Sequence, residues 1–262
     1  MTGVVEEAHS RVCSRTKLRL VPPPSHTVYR IGKTKYGAMN PQRRGSGADR
    51  KKWGRWDTEN GRTLYVGATA LAAFAEVLPY LRENLPETGL GDLFDDATQE
   101  EAGLTLAETV RVEMPCMDLR DVVVQGWRLD RAIYELRLPS RGWFVDVHAA
   151  ESLAAINEAL FPRRRPVSDL TLSDLAGEDR NLTSRVAEWI RSQVLDDGTE
   201  PLGIQYVSKH GTNLPAYAVW LRALDDGKRL SSEPTQKIFQ KPVLRYDPDL
   251  WKAAGWNRLR VF

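Results

Sequence analysis

Hydrophobic and polar positions along the chain alternate in blocks that predict interspersed strands and helices. Residues 1–25 are polar and close on Pro22-Pro23-Pro24, which cannot continue a helix and marks an entry linker. Thr27-Val28-Tyr29-Arg30-Ile31-Gly32 is rich in β-formers. A Gly/Pro/Arg-rich stretch follows to about Asp57, and Asn60-Gly61 then signals a turn into the strand-like Thr63-Leu64-Tyr65-Val66-Gly67. Leu71, Phe74, Ala75, Leu78 and Leu81 recur at helical spacing. Further strands are expected at 109–114, 132–138, 143–147, 202–208 and 216–221, and a last one near Pro242 to Tyr246. Helices are expected over Ala150 to Leu160 and from Asn181 to about Val194. Without strict βαβ alternation, the order predicts an α+β domain: a mixed β-sheet core with flanking helices.

Charge refines this picture locally. The 262 residues carry a formal charge of only +2, which gives no whole-molecule drive toward nucleic acid or an anionic membrane. Yet ten Lys/Arg face three acids between Arg30 and Arg62, while Glu83 to Glu101 holds seven acids and no base. The first stretch is either a solvated loop or a surface for a polyanionic ligand. The second reads as a surface excursion. Trp53 and Trp56 amid basic residues suggest either base stacking or a loop pinned by its aromatics. Cys13 and Cys116 are too few for a disulfide framework and read as free thiols in a reducing compartment. No stretch has the ~20 apolar residues that span a bilayer, and the N-terminus has no apolar signal-peptide core. Cytoplasm is the expected location.

Four positions could carry chemistry. Alternation puts Val28, Arg30 and Gly32 on one strand face, read as not the core face, where Arg30 could offer its planar fork to a phosphate. Tyr65 shares a face with Thr63 and Gly67, leaving room for a flat ligand against its ring. Glu76 lies well away from the apolar arc of its helix, beside the small residues Thr69, Ala72 and Ala73. That spacing fits an exposed glutamate or a carboxylate that a substrate can approach. Ser208 ends a strand-like run, at a sheet rim where ligand groups commonly sit, and no Gly-x-Ser-x-Gly elbow surrounds it. Histidines and cysteines form no metal-ligand spacing, and no Gly-rich phosphate loop follows a strand, so no metal is expected.

In order, Val28-Tyr29-Arg30-Ile31, Gly54-Arg55-Trp56, Leu64-Tyr65-Val66-Gly67-Ala68-Thr69 and Ala72-Ala73-Phe74-Ala75-Glu76-Val77 resemble the RES domain, a family named for its Arg, Glu and Ser. Gly203-Ile204-Gln205-Tyr206-Val207-Ser208, with Gly211 and Asn213 after it, is similar to the family's serine segment. The resemblance runs from about Thr27 to Leu221. It implies an ADP-ribosyltransferase-like fold and an enzyme that consumes NAD as substrate, with water or inorganic phosphate as acceptor and no bound cofactor. It implies the catalytic roles of Arg30, Tyr65, Glu76 and Ser208, with Arg55 a second basic ligand residue. It also implies a toxin of a toxin–antitoxin pair, with a helix-turn-helix antitoxin as partner and an oligomer possible. Neither a membrane nor direct nucleic acid is an expected partner. The expected division is a 1–25 extension, a 26–224 RES domain with an acidic insertion near 83–101, and a 225–262 tail packing on it. Transfer of ADP-ribose to a protein, or a non-catalytic module binding a nucleotide or nucleic acid, are the alternatives.

Overall fold

The computed structural model describes residues 9–79, 81, 122–123, 125–161, 169–226 and 235–261. Its strands are β1 (Arg11–Val12), β2 (Arg19–Val21), β3 (Val28–Lys33), β4 (Thr63–Gly67), β5 (Val122–Val123), β6 (Arg131–Arg137), β7 (Phe144–Asp146), β8 (Gly203–Val207), β9 (Pro215–Trp220), β10 (Gln236–Pro242) and β11 (Arg260–Val261). The helices are α1 (Ala70–Val77), α2 (Gln125–Leu129), α3 (Ala150–Leu160), α4 (Leu172–Ala176), α5 (Arg180–Arg191), α6 (Arg222–Asp226) and α7 (Pro248–Trp256). Nine strands form one sheet in the order β1-β2-β7-β8-β9-β4-β3-β6-β10. Within it, β7 and β8 run parallel and every other pairing is antiparallel. β5 and β11 form a separate parallel pair. This is the α+β architecture, a mixed sheet with flanking helices, that the interspersed pattern predicts.

Period-2 alternation sorts the core onto the two faces of the sheet. Val145, Ile204, Tyr206, Ala218 and Trp220 pack with Trp56 and with Ile156 of α3 and Val186 and Ile190 of α5. On the same face, farther along the sheet, Ile31 and Ile133 meet Phe74 of α1 and Leu250 and Ala253 of α7. The opposite face buries Val28, Leu64, Val66, Tyr134, Leu136, Phe144 and Val219. Each large apolar side chain buried this way stabilises the fold by about 1.5–3 kcal/mol relative to exposure. Both faces of β3 are therefore covered. The expectation that Val28 and Arg30 lie off the core face is corrected: Val28 is fully buried.

Local signals explain most boundaries. Thr69 caps α1 by accepting from the Ala72 amide, Asp179 caps α5 through the Asn181 and Leu182 amides, and Pro248 occupies the first turn of α7. Asn60 takes φ 58° at the turn before β4, and a Cβ at Gly61 would lie 2.1 Å from Arg191 Nη1. The polar N-terminal stretch adds β1 and β2 to the sheet through buried Cys13, Leu18 and Leu20. The C-terminal strand expected near Pro242 to Tyr246 instead occupies Gln236–Pro242, an edge strand exposed along almost its whole length. An edge strand needs no alternation of apolar positions, so the periodic signal was missing there. The strand expected at 109–114 and the acidic 83–101 stretch lie outside the described residues. Among the described residues, no helix is long and apolar enough to cross a membrane.

Candidate active site

The sheet parts at one place. β3 pairs with β6 from Val28 to Lys33, and β4 pairs with β9 over its whole length, but β3 and β4 meet only at Tyr29 opposite Gly67. Beyond that pair a cleft of about 250 Å³ opens, lined by Arg30 and Ile31 from β3 and Tyr65 and Val66 from β4. Ala73, Glu76 and Val77 of α1 wall it, and Pro41, Gln42, Arg44 and Asp57 of the 37–62 segment border it. Register puts Arg30 and Tyr65 on opposite faces of the sheet, and both reach the cleft because their strands diverge.

Arg30 sits across from Tyr134 on β6, and its Nη1 donates to the Ala38 carbonyl at 2.9 Å. Burial pulls its guanidinium down to about 10, so it stays charged at neutral pH. Its remaining donors are available to the cleft. Tyr65 is held by its hydroxyl, which accepts from the Trp56 amide at 2.8 Å and donates to Asp57 Oδ1 at 2.9 Å. Burial, reinforced by Asp57, pushes this phenol well above its ordinary value, and it remains protonated. A Cβ at Gly54 would fall 2.5 Å from the Tyr65 oxygen, so only glycine lets the loop approach so closely. Asp57 Oδ2 also accepts from the Gly54 amide at 2.8 Å and from Arg44 Nε at 2.5 Å. Tyr65 therefore offers its ring, not its hydroxyl, to a ligand.

Glu76 presents a carboxylate with Oε1 buried and without a hydrogen-bond partner. Its helix neighbours Ala72 and Ala73 are buried. Glu76 itself lines the cleft.

Arg55 and Ser208 are not among the residues lining this cleft; they stand behind its Tyr206 wall. Arg55 is buried, its guanidinium carbon lies 5.4 Å from the Tyr206 ring centroid, and its Nη1 has no hydrogen-bond partner. Ser208 shares a face with Tyr206 two residues earlier, is buried, and accepts from the His210 amide at 3.1 Å. His148 and His210 flank this end; burial lowers both imidazoles, and the Arg55 charge lowers them further, while Asp146 opposes the effect at His148 and Glu76 opposes it at His210.

The family profile of the RES domain matches residues 27–156. Over that span the chain is similar to the RES domain. The matched span holds Arg30, Arg55, Tyr65 and Glu76, whereas β8 and β9, with Tyr206 on β8 and Ser208 just after it, lie beyond the span and belong to the same sheet. A chain of the M. tuberculosis MbcT-MbcA toxin-antitoxin complex is similar in structure at a TM-score of 0.42, with 14% sequence identity and 92% of each chain covered. No curated protein sequence matches the chain.

Sequence reasoning missed Arg44, Asp57 and Tyr206. Arg44 was visible only as one base in a basic stretch, and its pairing with a buried aspartate is a tertiary fact. Tyr206 could have been found, because period 2 puts it beside Ser208. Part of that basic stretch is committed to acids of the fold: Lys33 to Asp130, Arg44 to Asp57, Arg50 to Glu59 and Glu188, and Arg62 to Asp225. Among the described residues, no group of His, Cys, Asp or Glu is arranged to hold a metal ion.

Proposed function

We propose that this chain cleaves NAD at the nicotinamide–ribose bond. The observation that carries the reading is the half-buried Glu76 carboxylate, its Oε1 buried and unpartnered, in the same cleft as the Arg30 guanidinium and the Tyr65 ring. Breaking that bond passes through an oxocarbenium-like state, positive at the sugar, and a fixed carboxylate in a poorly solvated wall stabilises that charge. The free donors of Arg30 hold the pyrophosphate by charge-assisted bonds, and Arg55, behind the Tyr206 ring, adds positive charge on that side without touching it. Tyr65 is the flat wall for the nicotinamide ring, and Ser208, behind Tyr206, holds the following turn by accepting from the His210 amide. Trp53 and Trp56 are buried, which removes the stacking platform that nucleic-acid binding through this stretch would use.

Nicotinamide release from NAD by the purified chain is the test. Release from wild type and its loss in Glu76→Gln support the reading; turnover that survives Glu76→Gln rejects the role of Glu76. The family resemblance extends the proposal to a toxin neutralised by an antitoxin. Growth arrest on expression, relieved by a co-expressed helix-turn-helix protein encoded beside it, is the outcome expected.

A further inference from the structure

The turn between β8 and β9 carries a histidine and packs along α1, the helix that bears Glu76. The turn is fixed by the Ser208 amide donating to the Leu214 carbonyl at 3.0 Å, the Gly211 amide to Ser208 at 3.2 Å and the Leu214 amide to Gly211 at 3.2 Å. Leu214 packs on Ala72 and Ala75 of α1. Ala72, Ala75 and Glu76 stand at i, i+3 and i+4, one face of the helix, so the turn lies along the face that carries Glu76. His210 rides on this turn, half-buried, with its amide on Ser208 Oγ. Its ring makes no hydrogen bond with any described residue.

We propose that His210 is the catalytic base that takes the proton from the water attacking the ribose carbon, beside Glu76. This rests on NAD cleavage as proposed above. The water oxygen bonds C1′ as the C1′–nitrogen bond breaks. The electron pair of that bond goes to the pyridinium nitrogen, which leaves as neutral nicotinamide. The water proton passes to His210 and from there to solvent, and the second product is ADP-ribose.

The charges around His210 suit a base that is neutral at pH 7. Burial, with Lys209 and Arg55, lowers its pKa, while Glu76 on α1 and Glu178 ahead of α5 pull it back up. Lys209 is itself ion-paired to Glu178, which leaves Arg55 and Glu76 as the two opposing charges that act on the ring without such compensation. A base must be unprotonated to act, so the rate falls as pH drops through a value below the ordinary histidine range.

The experiment follows nicotinamide release by the 262-residue chain in phosphate-free buffer from about pH 4.5 to about pH 8.5, roughly two units either side of an ordinary histidine. Wild type should show an acid limb. His210→Gln should lower kcat by about 10²- to 10³-fold with KM changed less than about threefold, and should lose that limb. Imidazole added to His210→Ala should restore part of kcat, which a merely structural histidine would not permit. Wild-type levels of kcat and an intact acid limb in His210→Gln overturn the proposal, as does wild-type release that occurs only with inorganic phosphate, an acceptor needing no base. No release by folded wild type under any condition takes down the NAD reading itself, and His210 with it.

Discussion

Two clusters of buried charge flank the 37–62 segment, and they are built in opposite ways. Around Asp225 the pairing is dense. Its fully buried carboxylate accepts from the Arg62 amide and guanidinium and from Arg191 Nη2, and Arg191 Nη1 reaches Thr58 Oγ1. Arg222 donates to the Arg191 and Pro201 carbonyls. In and behind the cleft, Arg55 Nη1, Glu76 Oε1 and Tyr134 Oη are buried with no partner. Folding tolerates an unsatisfied buried polar atom only at a cost of about 1–3 kcal/mol each, so three in one neighbourhood need a reason. Under the proposed function, a ligand in the cleft supplies the partner that Glu76 Oε1 lacks. On that reading, the difference separates charges that hold the fold from a carboxylate left open to a substrate.

The sharpest way to break this comparison is Asp225→Ala. It strands two arginines in a mostly buried setting, and unfolding by urea should show a loss of about 3–5 kcal/mol. A loss under about 1 kcal/mol would mean that the paired cluster is no anchor and that satisfaction of hydrogen bonds does not distinguish the two regions.

Glu76→Gln should behave in the opposite sense. Removing an unpaired charge leaves stability within about 1 kcal/mol of wild type or raises it, while nicotinamide release falls by about 10²- to 10³-fold, or about 2.7–4 kcal/mol of transition-state stabilisation. If the variant instead melts like Asp225→Ala, the Glu76 carboxylate has a structural partner after all.

Tyr65→Phe lies between the two. The ring that walls the cleft is kept, but Asp57 loses one donor and the Trp56 amide loses its acceptor. Thermal unfolding should report a loss of about 1–2 kcal/mol, and KM for NAD should move less than about tenfold. A larger KM change with unchanged stability would show that the hydroxyl, not the ring, serves the ligand.

The legibility of this molecule in its sequence follows the same divide. Val28 to Gly32, Thr63 to Gly67 and Ala150 to Leu160 were readable because alternation or helical spacing is a local property. Glu76 stood out for the same reason, as a carboxylate off the apolar arc among small neighbours. What no window of sequence reveals is the parting of β3 from β4 after a single residue pair, and that parting is what makes Arg30 and Tyr65 neighbours in a cleft. Nor could the basic run show which arginines are spent: Arg44, Arg50 and Arg62 find acids far along the chain or across a loop, while Arg55 keeps an idle nitrogen. The edge strand at Gln236–Pro242 was placed too late because exposure erases the pattern that marks buried strands.

The smallest effect separates the two histidines near Arg55. His148 Nδ1 accepts from the Val207 amide at 3.3 Å, a bond that requires the neutral ring, and burial lowers its pKa. Below the ordinary histidine value the unfolded chain therefore takes up a proton that the folded chain resists. Stability is fully present above about pH 6.5, falls as pH drops, and levels off below the lowered folded value, with a slope of at most about 1.4 kcal/mol per pH unit for one such group. His210 is shifted in the same direction and adds to the slope. His148→Asn should flatten part of this stability curve and leave the acid limb of NAD cleavage in place. His210→Gln should abolish that limb. If the two substitutions move the same curve, the fold-holding and ligand-awaiting groups at this end of the cleft form one coupled set, and the line drawn between them lies elsewhere.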